Sequence, residues 1–564
     1  MTGLRVLAAS VGLAVAFVSG CDAPAPTFDL IVRGGRVFDG TGADATRSDV
    51  GIRGDRIVAL GDLSRESAGR EINATGLAVS PGFIDVQGQS GTTLLADGHG
   101  ESHLRQGITT EIIGEGSSPA FWTSKTADAE GLRPFGITFD WTGFDGYFQK
   151  LQQQGIALNL GTLIPATAVR REIIGLDNRD PSPEELSRME AMVDQAMRDG
   201  ALGLSSALIY PPGSFAKTSE LVALAKIAAR HRGIYVSHVR GESFNLLAAL
   251  DEAIQIGREG GLPVVIFHLK VAARQNWGRM GDVIAKLNGA TLSGVRVQAT
   301  MYPYTAGGTG LAATLPLWVQ EGGREKMLAR LKDPAIRSRA QREIEGTIDG
   351  WENLVLASGF EGIQIASVPA SADQSLVGKR LSEIAAARNQ SPLQTLFDIL
   401  AETDGRAGAL YHMMSEDDVK NGLRWGGTSI GSDSSAVRPD GPLGRGAPHP
   451  RAYGSFPRVL GKYVREDQVL TLPDAIRRMT SLPAAQFGIQ GRGTIQQGVI
   501  ADLVIFDPTT VRDTATYQAP HQYPEGIRHV IVNGVPVLDP QGLSGARPGR
   551  AVYGRGRTVP GPPS

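Results

Sequence analysis

Eight short apolar or β-branched runs, many of them followed by a helical pattern, organise the middle of this 564-residue chain. They are Ala78–Val86, Thr109–Ile113, Leu158–Leu163, Ala201–Ala207, Ile234–Val239, Pro263–Leu269, Val295–Tyr302 and Thr428–Ser432. Between them lie segments such as SPEELSRMEAMVDQAMRDG and SELVALAKIAARHRG, the second amphipathic and ending in glycine, a helix stop. Strand-then-helix units in that number predict an α/β fold, a (β/α)8 TIM-like barrel over 81–305 and 407–490, with its reactive groups at the C-terminal ends of the strands. The stretch 306–406 is too long for one connection and holds several helix-like segments, which predicts an insertion forming a lid over the barrel mouth.

Both ends of the chain carry hairpin signatures. LIVRGGRVFDGTG and VGIRGDRIVALGD near the start, and ADLVIFDP and GIRHVIVNGVPVLD near the end, are alternating or β-branched runs broken by Gly-Gly, Asp-Gly and Gly-Asp turns. They predict one small β-sandwich built from 28–80 and 491–545. The Gly/Pro/Arg-rich 546–564 reads as a disordered tail. At the other end, MTGLR followed by the uncharged VLAASVGLAVAFV reads as a secretory signal over 1–21, too short to span a bilayer. Val18-Ser19-Gly20-Cys21 resembles a bacterial lipobox, and Cys21 is the chain's single cysteine. Lipidation at Cys21 is therefore expected, with 22–27 as a flexible tether and an exported, membrane-anchored lipoprotein on the periplasmic face as the result. A plain secretory signal with an incidental cysteine is the alternative. A formal charge of −2 gives no polyanion-binding signal, so no nucleic-acid partner is expected.

Few residues can carry chemistry. Of nine histidines, His238 in IYVSHVRGES and His268 in VVIFHLK end candidate barrel strands, which puts both imidazoles at the catalytic rim and within reach of one ion. A hydrogen-bonded rim pair is the competing reading. Asp433 in TSIGSDSS ends the eighth candidate strand and faces the same axis; a water held on zinc has its pKa lowered to about 7 and could give its proton to that carboxylate. A helix N-cap is the alternative for Asp433. His99 and His103, four residues apart, begin a polar helix away from any strand end, His449 suits an entrance or loop packing, and Arg240 and Arg424 suit carboxylate binding or surface ion pairs.

The ordered set PGFIDV, QGITTEIIGEG, GALGLSSALIYPPGSFA, SHVRGES, HLK, YPYTAGGTGLAA, GSDSS, HPRAYGSFPRVLGKYVRE and MTSLPAAQFGIQGRGTIQQGVIADLVIFDP resembles the N-acyl-D-amino-acid deacylase (D-aminoacylase) branch of the amidohydrolase superfamily, from about Phe28 to Asp539. The resemblance implies a metal-dependent barrel that hydrolyses a linear amide, a small-molecule N-acylated amino acid. It implies His238 and His268 as metal ligands, Asp433 as general acid/base, and Lys270 and Tyr302 as the groups that hold the substrate's carboxylate.

Two departures stand out. The branch's first-strand His-x-His is Gln87-Gly88-Gln89 here, and neutral amides are much weaker ligands than imidazoles. The branch's cysteine after the second strand is absent, and Gly114-Glu115-Gly116-Ser117 occupies that turn. Glu115 is the expected replacement ligand, a solvated turn residue its alternative. A single zinc per chain is expected, with Gln87 and Gln89 as hydrogen-bonding groups near the water or the substrate carbonyl. Two further readings stay open: a non-catalytic, lipid-anchored binding protein on a degenerate barrel, and a dipeptidase or cyclic-amide hydrolase.

Overall fold

The computed structural model describes residues 27–346 and 351–558. Cys21 and the leader lie outside the described residues, as does 559–564. Among the described residues, no helix is long and apolar enough to cross a membrane.

Eight parallel strand positions form the barrel. They are Phe83–Asp85, Ile108–Ile113, Asn159–Thr162 continued by Ile164–Pro165, Gly203–Ala207, Ile234–His238, Val264–Ile266, Val297–Met301 and Thr428–Ile430. The ring closes between its last and first strands through a parallel bridge of Gly88 with Ser434. Asp433 N–H donates to the Gln87 carbonyl at 2.8 Å, and Gln89 N–H to that of Ser434 at 2.9 Å. Inward positions of the pleat, among them Ile84, Val86, Ile112, Ile234, Val236, Val265 and Phe267, make one apolar core inside the barrel. Helices cover the outside. That of Pro183–Asp199 starts with a Ser182–Glu185 capping box and Pro183 at its first position, and it stops at Gly200.

The expected strand 78–86 is two strands. Ala78–Pro81 belongs to the sheet of the chain ends, and Phe83–Asp85 starts the barrel. Gly82 makes the break, because a Cβ there would lie 2.1 Å from Thr109 Oγ1. Ala78–Pro81 pairs with Leu503–Phe506, and this splice joins the N- and C-terminal strands into one nine-stranded sheet wrapped around its own core.

The insertion carries a three-stranded antiparallel sheet, Ala306–Gly310, Ile363–Ser367 and Gly408–His412, packed with its helices into a separate core. Its third strand runs past the expected boundary at 406, so the inserted unit extends to about residue 412.

The tail is not disordered over 546–558. Ala551–Val552 adds a parallel strand beside Leu160 and Gly161, and Gly554 N–H donates to the Gly200 carbonyl at 2.8 Å. The third barrel strand meets the fourth in regular pairing only from Ile164 onward, so its lower half offers a free edge. The Ala-Val-Tyr triplet fills that edge: Val552 joins the barrel core, and the Tyr553 ring lies 5.7 Å from that of Phe144. Composition signals disorder here, but an unpaired strand edge overrides composition.

Ending the chain at residue 545 is therefore expected to expose this edge and lower Tm by roughly 5 °C or more. Thermal unfolding of this truncation beside the parent checks it, and an unchanged Tm would contradict a structural role for the added strand.

Candidate metal centre

Three side chains converge at the C-terminal mouth of the barrel. Alternation continues the inward series of Ile234 and Val236 to His238. It would turn His268 outward, since Val265 and Phe267 face in. A positive φ of 35° at His268 breaks the alternation, and its ring comes to 4.5 Å from that of His238. Asp433 also has a positive φ, 48°. Residues other than glycine rarely adopt this conformation, and they concentrate at functional sites.

Glu115 approaches from the turn after the second strand. Its Oε1 lies 2.9 Å from His238 Nδ1 and 3.3 Å from His268 Nε2. The three groups offer ligand atoms all within 4.8 Å of one another, and all three are buried. A tetrahedral zinc with bonds near 2.0–2.1 Å needs ligand-to-ligand edges of about 3.3 Å, so this donor set fits the ion. Behind the imidazoles stands Glu242, with Oε1 2.8 Å from His268 Nδ1 and Oε2 3.9 Å from His238 Nε2. At that distance Glu242 does not bond His238 Nε2, which has no hydrogen-bond partner among the described residues. A carboxylate behind a ligating imidazole orients it, as Glu242 does for His268. Burial and Lys270 push His268 down, but Glu242 and Glu115 outweigh them and raise it to about 9. Burial likewise opposes the charge on Glu115, yet the two imidazoles hold its carboxyl well below the usual range. Metal entry is therefore coupled to proton release.

The glutamines face this carboxylate. Gln87 Nε2 and Gln89 Nε2 donate to Glu115 Oε2 at 3.1 and 3.0 Å, and Gln89 Nε2 lies 3.4 Å from Asp433 Oδ1. Asp433 Oδ2 is ion-paired with Arg451 Nη1 at 2.9 Å. Burial raises Asp433 and Arg451 pulls it back, with a net upward shift. The Arg451 guanidinium lies over the Tyr302 ring, 4.5 Å from its centroid, and Lys270 Nζ lies 5.6 Å from the same centroid. Lys270 donates to Glu242 at 2.5 Å. These groups, Gln87 excepted, line a cavity of about 440 Å³, walled also by Trp122, Tyr210, Leu354 and Met413.

Nothing in the sequence singles out Arg451, although the motif that contains it is visible there. A buried arginine is visible only once a carboxylate partner is placed beside it. Arg240 is spent on Glu252 and the carbonyls of Ser214 and Ala216, and Arg424 bonds Asn421 in the same helix. Neither lines the cavity. His449 is a packing residue: Nδ1 accepts from Arg451 N–H, and Nε2 donates to the Ala306 carbonyl. His99 pairs with Asp97.

His103 lies on the outer side of the barrel wall, fully buried, with Nδ1 3.0 Å from Glu111 Oε2. Burial opposes its charge, but Glu111 and Asp85 outweigh it and raise the proton affinity of the ring; burial pushes Asp85 up to about 6. Both carboxylates grip main chain. Asp85 accepts from the N–H of Gln87 and Ser432, and Glu111 from that of Ser90. This buried group pins the glutamine loop and the approach to Asp433 from below.

The sequence profile of the amidohydrolase family matches residues 70–538. The D-aminoacylase of Alcaligenes xylosoxydans xylosoxydans is 34% identical over 528 residues, which cover 93% of this chain and 97% of that protein. The crystal structure of the N-acyl-D-glutamate deacylase of Bordetella bronchiseptica, complexed with zinc and a phosphonate mimic of the tetrahedral intermediate, aligns with a TM-score of 0.78 at 34% identity, covering 93% of this chain and 99% of that one. A D-aminoacylase structure that addresses the binuclear metal centre, with one-metal activation and second-metal attenuation, aligns with a TM-score of 0.77 at 34% identity, over 93% of this chain and 100% of that one.

Replacing His103 by Leu leaves the buried Glu111 carboxylate without its imidazole partner and is expected to cost about 3 kcal/mol. Adding Glu111→Gln should recover part of that loss. Denaturant unfolding of the single and double variants measures it, and equal stability of His103→Leu and the parent would contradict the assignment.

Proposed function

This chain belongs to the amidohydrolase family, in its N-acyl-D-amino-acid deacylase branch, and we propose that it cleaves the amide of an N-acyl-D-amino acid with one zinc ion. It is an enzyme acting on carbon–nitrogen bonds other than peptide bonds. The observation that carries the finer reading is the convergence of Glu115 Oε1, His238 and His268, with Asp433 lining the same cavity.

His238, His268 and Glu115 would hold the ion. Bound there, zinc supplies Lewis-acid polarisation of the acyl carbonyl and a water of lowered pKa. Asp433 takes the proton from the attacking water and delivers it to the departing amine nitrogen, a role served by a carboxylate whose proton affinity is raised by burial. The substrate's carboxylate fits between Arg451, Tyr302 and Lys270. Arg451 Nη1 supports this: its ion pair with Asp433 is not aligned as a hydrogen bond, which leaves a buried donor unspent at the cavity. Lys270 would contribute charge while remaining tied to Glu242. Against a non-catalytic descendant stands the retention of His238, His268, Lys270 and Asp433 in one cavity. Lipid anchoring at Cys21 and a periplasmic location remain part of the proposal, resting on the leader sequence alone.

Asp433→Asn should lower kcat by about 10²–10⁴-fold on an N-acyl-D-amino acid panel while leaving zinc content near that of the parent. Parent-like rates in that variant would sink the mechanism. Arg451→Met removes the cation that holds Asp433 down. Because Asp433 must be ionised to accept a proton, the acid limb of kcat/KM should then move to higher pH, and KM should rise. A limb that stays in place with KM unchanged would remove Arg451 from the site.

A further inference from the structure

We propose that Gln87 and Gln89 form a fixed amide clamp standing in for a second cation: it holds Glu115 as a ligand through Oε1 alone and closes the centre to a second metal ion. The inference rests on the single-zinc reading above.

The orientation of both amides is determined by partners whose roles are unambiguous. Gln87 Oε1 accepts from the His268 backbone N–H at 3.1 Å and from the Thr300 hydroxyl at 2.6 Å. A backbone N–H can only donate, so the oxygen faces His268 and the NH2 group must face Glu115 Oε2. Both lone pairs of that oxygen are then occupied, and none remains for a cation. Gln89 Nε2 sits between oxygens of Glu115 and Asp433. Carboxylates only accept, so this end is also the NH2 group. The two side chains that replace histidines thus present N–H donors toward the place where a second metal would need lone pairs.

Charge leads to the same result. Asp433 is paired with Arg451 and Glu242 with Lys270. Once both imidazoles are neutral, as ligation requires, Glu115 is the cavity carboxylate without a lysine or arginine partner in these pairings. One divalent ion at Oε1 and two amide donors at Oε2 satisfy it. A second divalent ion would have to displace both amides and take Asp433 from Arg451. Retreat of the amides is costly, because the loop is pinned on both sides by the Asp85 and Glu111 bonds to the N–H groups of Gln87 and Ser90. A Cβ at Gly88 would lie 2.0 Å from Glu111 Oε1, so the loop backbone rests directly on that carboxylate.

The test counts metal on the whole chain, stripped and then incubated with zinc in large excess, by elemental analysis after gel filtration. Cobalt(II) loading with EPR gives a second readout. One ion per chain is expected for the parent, and two, with a spin-coupled cobalt pair, for Gln87→His/Gln89→His. Two ions in the parent would overturn the clamp and the one-zinc count, and leave the Glu115, His238 and His268 site standing. None would overturn the zinc reading and the clamp with it. A folded double variant that still binds one ion would show that the amides are not what excludes the second. Thr300→Val, which removes one of the two donors that orient Gln87, keeps the test decisive if the double variant does not fold. Its zinc affinity should fall about tenfold, with parent affinity restored in Thr300→Ser; an unchanged affinity in Thr300→Val would count against the clamp.

Discussion

A carboxylate withdrawn from water at the mouth of a barrel must be satisfied by whatever surrounds it, and the centre is arranged around meeting that demand for Glu115. An ion pair or metal offsets the desolvation cost of such a charge only when its remaining lone pairs also find donors. Two imidazoles face one oxygen and two amides face the other. Removing any of the four would leave part of a buried anion exposed to an apolar surrounding. The positions of His238, His268, Gln87 and Gln89 are therefore coupled through one residue that lies on a turn rather than on a strand.

The barrel's closure supplies the rigidity this coupling needs. The hydrogen bonds that join the last strand to the first run through Gln87, Gln89, Asp433 and Ser434. The seam of the ring is therefore also the floor of the cavity. A chain that failed to close would lose both the amide pair and Asp433 at once. The left-handed backbone at His268 and Asp433 is tolerated because neighbouring segments hold the amide of each residue: His268 N–H is held by Gln87 and Thr300, and Asp433 N–H by the Gln87 carbonyl. Strain of this kind persists only where the surroundings over-determine it.

The same distinction explains what could be read in the sequence. Strand-and-helix alternation is a local signal, so the eight barrel strands were visible as runs and their order needed no structure. His238, His268 and Asp433 were visible because each ends such a run. The bend at Gly82 was not visible, since it is imposed by Thr109, a residue from another strand. Nor was the added strand at Ala551–Val552, whose partner edge exists only because the third barrel strand is interrupted. Arg451 and His103 are buried partners of carboxylates, and a sequence does not reveal which basic side chain will meet which carboxylate. The sequence around His103 suggests only the start of a polar helix, whereas the ring closes a buried group with Glu111 and Asp85 on the outer side of the barrel wall.

Arg451 links the site's two tasks. Its guanidinium lowers the proton affinity of Asp433, opposing burial, and it also carries the free N–H at the place assigned to the substrate's carboxylate. In the proposed reaction these tasks compete. An arriving carboxylate takes a share of the guanidinium and brings a negative charge close to Asp433, and both effects raise the proton affinity of Asp433. Asp433 would thus become a stronger base when substrate occupies the cavity, at the step that requires it to accept a proton. Before substrate binds, the same pair keeps the proton affinity of Asp433 closer to that of an ordinary carboxylate.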